Sequence, residues 1–91
     1  MYKVVFSSQY KKSLKKISRS GNFPIKEIEK VISLLILEKI LPFKYKDHGL
    51  NGELLDYREC HIQGDLLLIY KIEKENLILV LVDIGSHSQL F

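Results

Sequence analysis

Residues 57–72 read Tyr57-Arg58-Glu59-Cys60-His61-Ile62-Gln63-Gly64-Asp65-Leu66-Leu67-Leu68-Ile69-Tyr70-Lys71-Ile72. Two runs rich in aliphatic and aromatic side chains flank a break at Gln63-Gly64, the pattern of two strands joined by a tight turn. The strands are expected over 57–62 and 66–72. Downstream, Glu73-Lys74-Glu75-Asn76 reads as a second hairpin loop and 77–84 as a third strand that Gly85 ends, leaving 86–91 as a tail. Upstream, 43–56 shows no sustained period, and Gly49, Asn51 and Gly52 read as turns. Long irregular loops in compact domains often carry function.

Two helices precede that loop. In the first, Ser7 or Ser8 offers an N-cap, and Tyr10, Leu14 and Ile17 share a face at i, i+4, i+7. Lys11, Lys12, Lys15, Lys16 and Arg19 cover the remainder, and Ser20-Gly21-Asn22 ends the helix. In the second, Pro24 suits the first turn, and Ile25, Ile28, Val31, Ile32, Leu35 and Leu37 supply a broad apolar face until Pro42. Residues 1–6 are β-branched and aromatic enough for an opening strand. The order β-α-α-β-β-β predicts an α+β fold, with two N-terminal helices packed on one face of a four-stranded, largely antiparallel sheet. At 91 residues, one domain over 1–91 is expected.

Hydrophobic and charged contents of 46% and 27% are those of a globular chain and exclude fibrous or disordered classes. The net charge of +3 leans toward a polyanionic partner, although solubility alone explains it equally well. The single cysteine, Cys60, allows no internal disulfide and fits a reducing, cytoplasmic setting. No signal-like leader opens the sequence, and its apolar runs fall short of the ~20 residues that cross a bilayer.

Side-chain alternation identifies the groups able to react. From Tyr57, residues Tyr57, Glu59 and His61 point to one face, and Arg58, Cys60 and Ile62 to the other. Cys60 and Ile62 suit a helix-covered core, which leaves Glu59 and His61 on the open face. A turn made of Ile62-Gln63-Gly64 sets His61 directly across from Asp65, whereas a Gln63-Gly64 turn pairs Ile62 with Asp65 instead. His48 comes from the long loop and His87 from just beyond the last strand. Imidazole, with an ordinary pKa of ~6.5, both takes and gives protons near neutrality. Three of them beside carboxylates can serve one phosphodiester as general acid and general base.

Competing readings exist for each group. Scattered histidines arise by chance, and His48, His61, His87 and Asp65 are also zinc-type donors, but no tight spacing such as His-x-x-x-His supports a metal site. The lysine face of the first helix reads as a solvated surface. Arg58 either pairs internally or holds a phosphate. Phe91 and Tyr57 are able to stack on bases, and Phe91 equally suits pinning the tail.

Four segments carry a family likeness: Tyr45-Lys46-Asp47-His48 with Leu50 and Gly52; Tyr57-Arg58-Glu59-x-His61; Asp65-Leu66-Leu67-Leu68-Ile69-Tyr70; and Gly85-Ser86-His87-x-x-Leu90-Phe91. In this order and spacing the chain resembles the RelE/ParE-like toxins of bacterial type II toxin–antitoxin modules, in particular the YafQ branch. The resemblance implies a RelE-like fold. It also implies a ribosome-dependent endoribonuclease that cuts mRNA in the 30S A site and is neutralised by a cognate antitoxin. Cleavage would be free of metal and cofactor, with the ribose 2′-OH attacking the adjacent phosphate. His87 would be the general acid, His48 and His61 would share base and phosphate-stabilising roles, and Asp65 would orient a histidine or assist as base. Lys46, Arg58, Glu59 and Phe91 would support substrate binding. Gly64 and Gly49 stand where relatives often carry proline, so both turns are expected to be looser. The alternative is a fold of this kind that binds antitoxin and nucleic acid but cuts poorly or not at all. The gyrase-directed side of the superfamily is a third reading, which this histidine set disfavours.

Overall fold

The computed structural model describes residues 1–21 and 23–91; Asn22, expected to help close the first helix, lies outside the described residues. In chain order the elements are β1 (Lys3–Phe6), α1 (Ser8–Ser18), α2 (Ile25–Ile36), β2 (His48–Gly49), β3 (Arg58–Gln63), β4 (Leu66–Glu73), β5 (Ile78–Ser86) and α3 (His87–Leu90), with 3₁₀ turns at Phe43–Tyr45 and Gly52–Leu54. The sheet order is β1-β5-β4-β3-β2. β1 runs parallel to β5, and every other pairing is antiparallel.

The α+β architecture and the two helices on one face agree with the sequence reading. The strand count does not: the sheet is mixed and has five strands rather than four. The additional strand, β2, lies inside the segment expected to be irregular. A strand of two residues has no period to detect, and it exists because β3 supplies its partners, His48 opposite Glu59 and Gly49 opposite Arg58. β5 also runs through Gly85 and Ser86, beyond its expected end, and the tail folds into α3.

Helix α1 starts as expected, with the Ser7 hydroxyl accepting the amide of Tyr10 at 2.9 Å. Helix α2 stops well before Pro42. The amide of Lys39 bonds the Leu34 carbonyl at 2.9 Å and that of Glu38 the Leu35 carbonyl at 3.0 Å. This is a Schellman closure with Glu38 in the left-handed position at φ 59°. Glycine usually occupies that position, so the sequence carried no stop signal there. The N-terminal ammonium pairs with Glu38 at 2.5 Å.

The core lies between the helices and one face of the sheet. Tyr10, Ile28, Val31 and Leu35 meet Cys60, Ile62, Leu68, Tyr70, Leu79, Leu81 and Ile84, while Leu14 and Ile17 pack at its margin. Ile25 and Leu37, counted in the apolar face of α2, are instead exposed at its two ends. Cys60 is fully buried, as parity required, and burial pushes its thiol up to about 12, so it remains an inert core residue.

Tyr45 ties the long connection to the core. Its ring is buried and its hydroxyl donates to Glu27 of α2, with Lys44 Nζ 3.8 Å from the same carboxylate. Tyr45→Phe is expected to cost about 1 kcal/mol, a fall in Tm of roughly 4–8 °C for a domain of this size. The hydrogen bond to Glu27, then burial, push the Tyr45 hydroxyl up to about 12. A raised folded-state pKa stabilises fully below the unfolded value of ~10 and loses its effect as pH climbs through the folded one. The gap between wild type and variant should therefore shrink from pH 10 to 12; melts at pH 8 and pH 11 showing a constant gap would contradict this.

Candidate active site

β3 is the scaffold. Its alternation turns Arg58, Cys60 and Ile62 toward the helices and Glu59 and His61 toward the open face, as the sequence predicts. Glu59 is nevertheless only 6% exposed. Its β4 neighbour is Ile69, and that of His61 is Leu67, both buried. A carboxylate in such surroundings needs partners, and two imidazoles supply them. Glu59 Oε1 lies 3.6 Å from His48 Nε2 and 3.7 Å from His61 Nε2. The two rings sit 6.3 Å apart at 44°. Glu59 is thus placed at ion-pair distance from either imidazole when that ring is protonated.

His48 reaches this position through β2, opposite Glu59. Its Nδ1 lies 2.7 Å from the Lys46 carbonyl oxygen. A carbonyl only accepts, so Nδ1 carries the hydrogen, and Nε2 is the atom that gains or loses a proton. The carbonyl is turned to that ring by Lys46 itself, at φ 47° in the left-handed region. Lys46 thus orients His48 through its backbone, while its side chain is exposed.

His87 opens α3, across β4 from this cluster. Leu67 pairs with His61 on one side and Gly85 on the other. At ~4.8 Å per strand spacing, Gly85 and His61 are roughly 10 Å apart in one row, and His87 follows just beyond at the same end of the sheet. Its ring packs on Phe91 at 5.3 Å. Phe91 is half exposed, so the tail is both pinned and open on one side. A capping box holds α3: the Gln89 amide donates to Ser86 Oγ at 3.3 Å, and the Ser86 amide to Gln89 Oε1 at 2.8 Å. Gly85 permits this close approach, since a Cβ there would lie 2.9 Å from Gln89 Oε1.

Asp65 is not where either turn reading put it. Gln63 pairs with Leu66, so the turn is Gly64-Asp65, and the shift to His61 opposite Leu67 leaves Ile62 as a bulge. Gly64 has φ 55°, which suits the first position of a two-residue hairpin turn and which proline cannot adopt. Asp65 is exposed at the turn and lines a cavity of about 240 Å³ with Ser20, Gln63, Ser86 and Gln89, beneath α3 rather than across from His61. The carboxylate between the histidines is Glu59.

Arg58 is already engaged. Its Nη2 donates to Asp47 Oδ2 at 3.0 Å, and its Nε to Tyr70 Oη at 3.3 Å. Of the two readings, internal pairing is the one observed. Sequence reasoning missed Asp47 and Tyr70. Tyr70 carried a signal, a hydroxyl at a core-parity position, but its pairing with Arg58 needs the register.

Residues 2–91 match the family described as the bacterial toxin of type II toxin–antitoxin system, YafQ. The mRNA interferase toxin YafQ of Escherichia coli K12 is 33% identical over 89 residues, covering 97% of this chain and 94% of that protein. The crystal structure of a metal-bound toxin from Helicobacter pylori is 46% identical, with a TM-score of 0.92 over 100% of both chains. In the E. coli DinJ–YafQ complex, the matching chain is 29% identical, with a TM-score of 0.89 over 100% of this chain and 99% of that one.

Proposed function

The chain belongs to the YafQ family of toxins of bacterial type II toxin–antitoxin systems, and we propose that it is a ribosome-dependent endoribonuclease that cleaves mRNA in the 30S A site by proton transfer. The observation that carries this reading is the convergence of His48 and His61 on the buried carboxylate of Glu59. His48 or His61 takes the proton of the ribose 2′-OH at Nε2, and Glu59 stabilises the resulting imidazolium. The second imidazole faces the phosphate oxygens. The 2′-oxygen bonds to phosphorus, and the bond to the 5′-oxygen breaks. His87, from across β4, donates a proton to that leaving oxygen. The products are a 2′,3′-cyclic phosphate and a free 5′-hydroxyl. Phe91, half exposed beside His87, stacks on a base, and the Lys46 ammonium adds positive charge beside His48. Asp65 takes no step in this scheme, because the Gly64-Asp65 turn sets it apart from His61. A cognate antitoxin neutralises the protein in the cytoplasm; the E. coli DinJ–YafQ toxin–antitoxin complex supports a partner of that kind.

Purified protein, translating ribosomes and a defined mRNA test this. Cuts with those end groups, made only on ribosome-bound message, are expected; growth arrest on induction with mRNA intact would point to another target. Imidazole proton transfer needs no metal, so toxin stripped of metal by chelation and then added to translating ribosomes in magnesium buffer should cut at an unchanged rate. That control is pointed because the H. pylori relative is metal-bound. Loss of cutting by the stripped toxin, restored by a transition-metal ion at constant magnesium, would replace the proton-transfer scheme with Lewis-acid chemistry.

A further inference from the structure

We propose that Asp47, Arg58 and Tyr70 form a positioning clamp that fixes the His48 imidazole against Glu59 from the opposite side of the sheet. The three side chains close a ring. Arg58 donates through Nη2 to one oxygen of Asp47, Tyr70 donates its hydroxyl to the other, and Arg58 Nε donates to that hydroxyl. Both carboxylate oxygens are thereby occupied, in a charge-assisted and directional arrangement.

The anchor is rigid because Tyr70 is 1% exposed in the core and sits opposite Arg58 in the β3–β4 register. Burial, then the bond to Asp47, push the Tyr70 hydroxyl up, so it remains a donor across the working pH range. The anchored residue immediately precedes His48. Along extended backbone, neighbouring side chains leave on opposite faces. Asp47 therefore reaches toward the helix side while His48 reaches the open face. β2 is only two residues long, too short to hold its own register. The 3₁₀ turn at Gly52–Leu54 that follows it has no buried residue. The clamp on one side, and the Lys46 carbonyl against Nδ1 on the other, supply what the strand lacks. A displacement of about 1 Å in a reacting group costs as much as 10²-fold in rate, so an anchor remote from substrate matters. Arg58 serves as internal counter-charge here, not as a phosphate ligand.

This inference rests on the reading of His48 as a reacting group, and its test includes a readout independent of RNA cleavage. Tyr70→Phe keeps the core filled and removes one donor; Asp47→Asn keeps the shape and removes the charge. Each is expected to lower kcat about tenfold with KM nearly unchanged, and to shift the His48 ring-nitrogen NMR signals from a single Nδ1–H tautomer toward a mixture. Asp47→Glu, which restores the charge, should recover part of both. If Tm falls but the His48 signals and kcat stay as in wild type, the cluster merely braces the sheet edge and the proposal is overturned. If Arg58→Lys raises KM without moving those signals, Arg58 binds RNA and the clamp is likewise overturned. A wild-type protein that shows the single tautomer yet cuts no mRNA would refute the nuclease reading and leave the clamp standing.

Discussion

Replacing His87 with alanine is expected to slow single-turnover mRNA cleavage on the ribosome by about 10²- to 10⁴-fold, the range for loss of a positioned proton donor. The ring is exposed and touches Phe91 rather than the core, so stability should change by no more than about 0.5 kcal/mol. Loss of activity therefore cannot be mistaken for unfolding. A substrate with sulfur in place of the departing 5′-oxygen leaves without a proton, and it should restore most of the rate to His87→Ala. Failure of that rescue would move His87 from general acid to RNA positioning. In a bacterium, induction of His87→Ala should permit growth with intact mRNA; toxicity equal to wild type would remove His87 from the mechanism.

Glu59→Gln is expected to lower kcat about 10²-fold while KM moves little, because the carboxylate stabilises an imidazolium that forms as the 2′-OH loses its proton. Glutamine keeps the volume but removes the charge that both Nε2 atoms face. Stability should hold or rise, since glutamine fills the same volume without the desolvation cost of a buried carboxylate. The decisive measurement is a double-mutant cycle with His48→Ala. If Glu59 acts through His48, the two losses are strongly non-additive; simple addition of their effects would separate the carboxylate from that histidine. A third arm with His61→Ala reports which imidazole depends more on the shared oxygen.

Much of this arrangement was legible before any coordinates. Alternation along β3 placed Cys60 and Ile62 in the core and Glu59 and His61 on the open face, because side chains on a strand have no other choice. The periodicity of Tyr10, Leu14 and Ile17 likewise located the buried face of α1. The site was less legible where it depended on pairing. Asp65 was tied to His61 through a turn that does not form, since Gly64 adopts a positive φ and moves the reversal one residue onward. Glu59 was assigned a supporting role because its burial between two imidazoles involves β2, a strand that exists only against β3. The expected looseness at Gly49 is offset by its pairing with Arg58, a long-range contact.

Local order thus stood in the linear chain: which residues form helices and strands, and which side of each strand faces the core, follow from periodicity and steric preference within a few neighbours. Register, the bulge at Ile62, the fifth strand and the Asp47–Arg58–Tyr70 ring belong to the folded molecule alone. Each depends on which groups of neighbouring strands meet at hydrogen-bond distance. That choice is made by the packing of the whole sheet, where a slip of one residue exchanges its two faces.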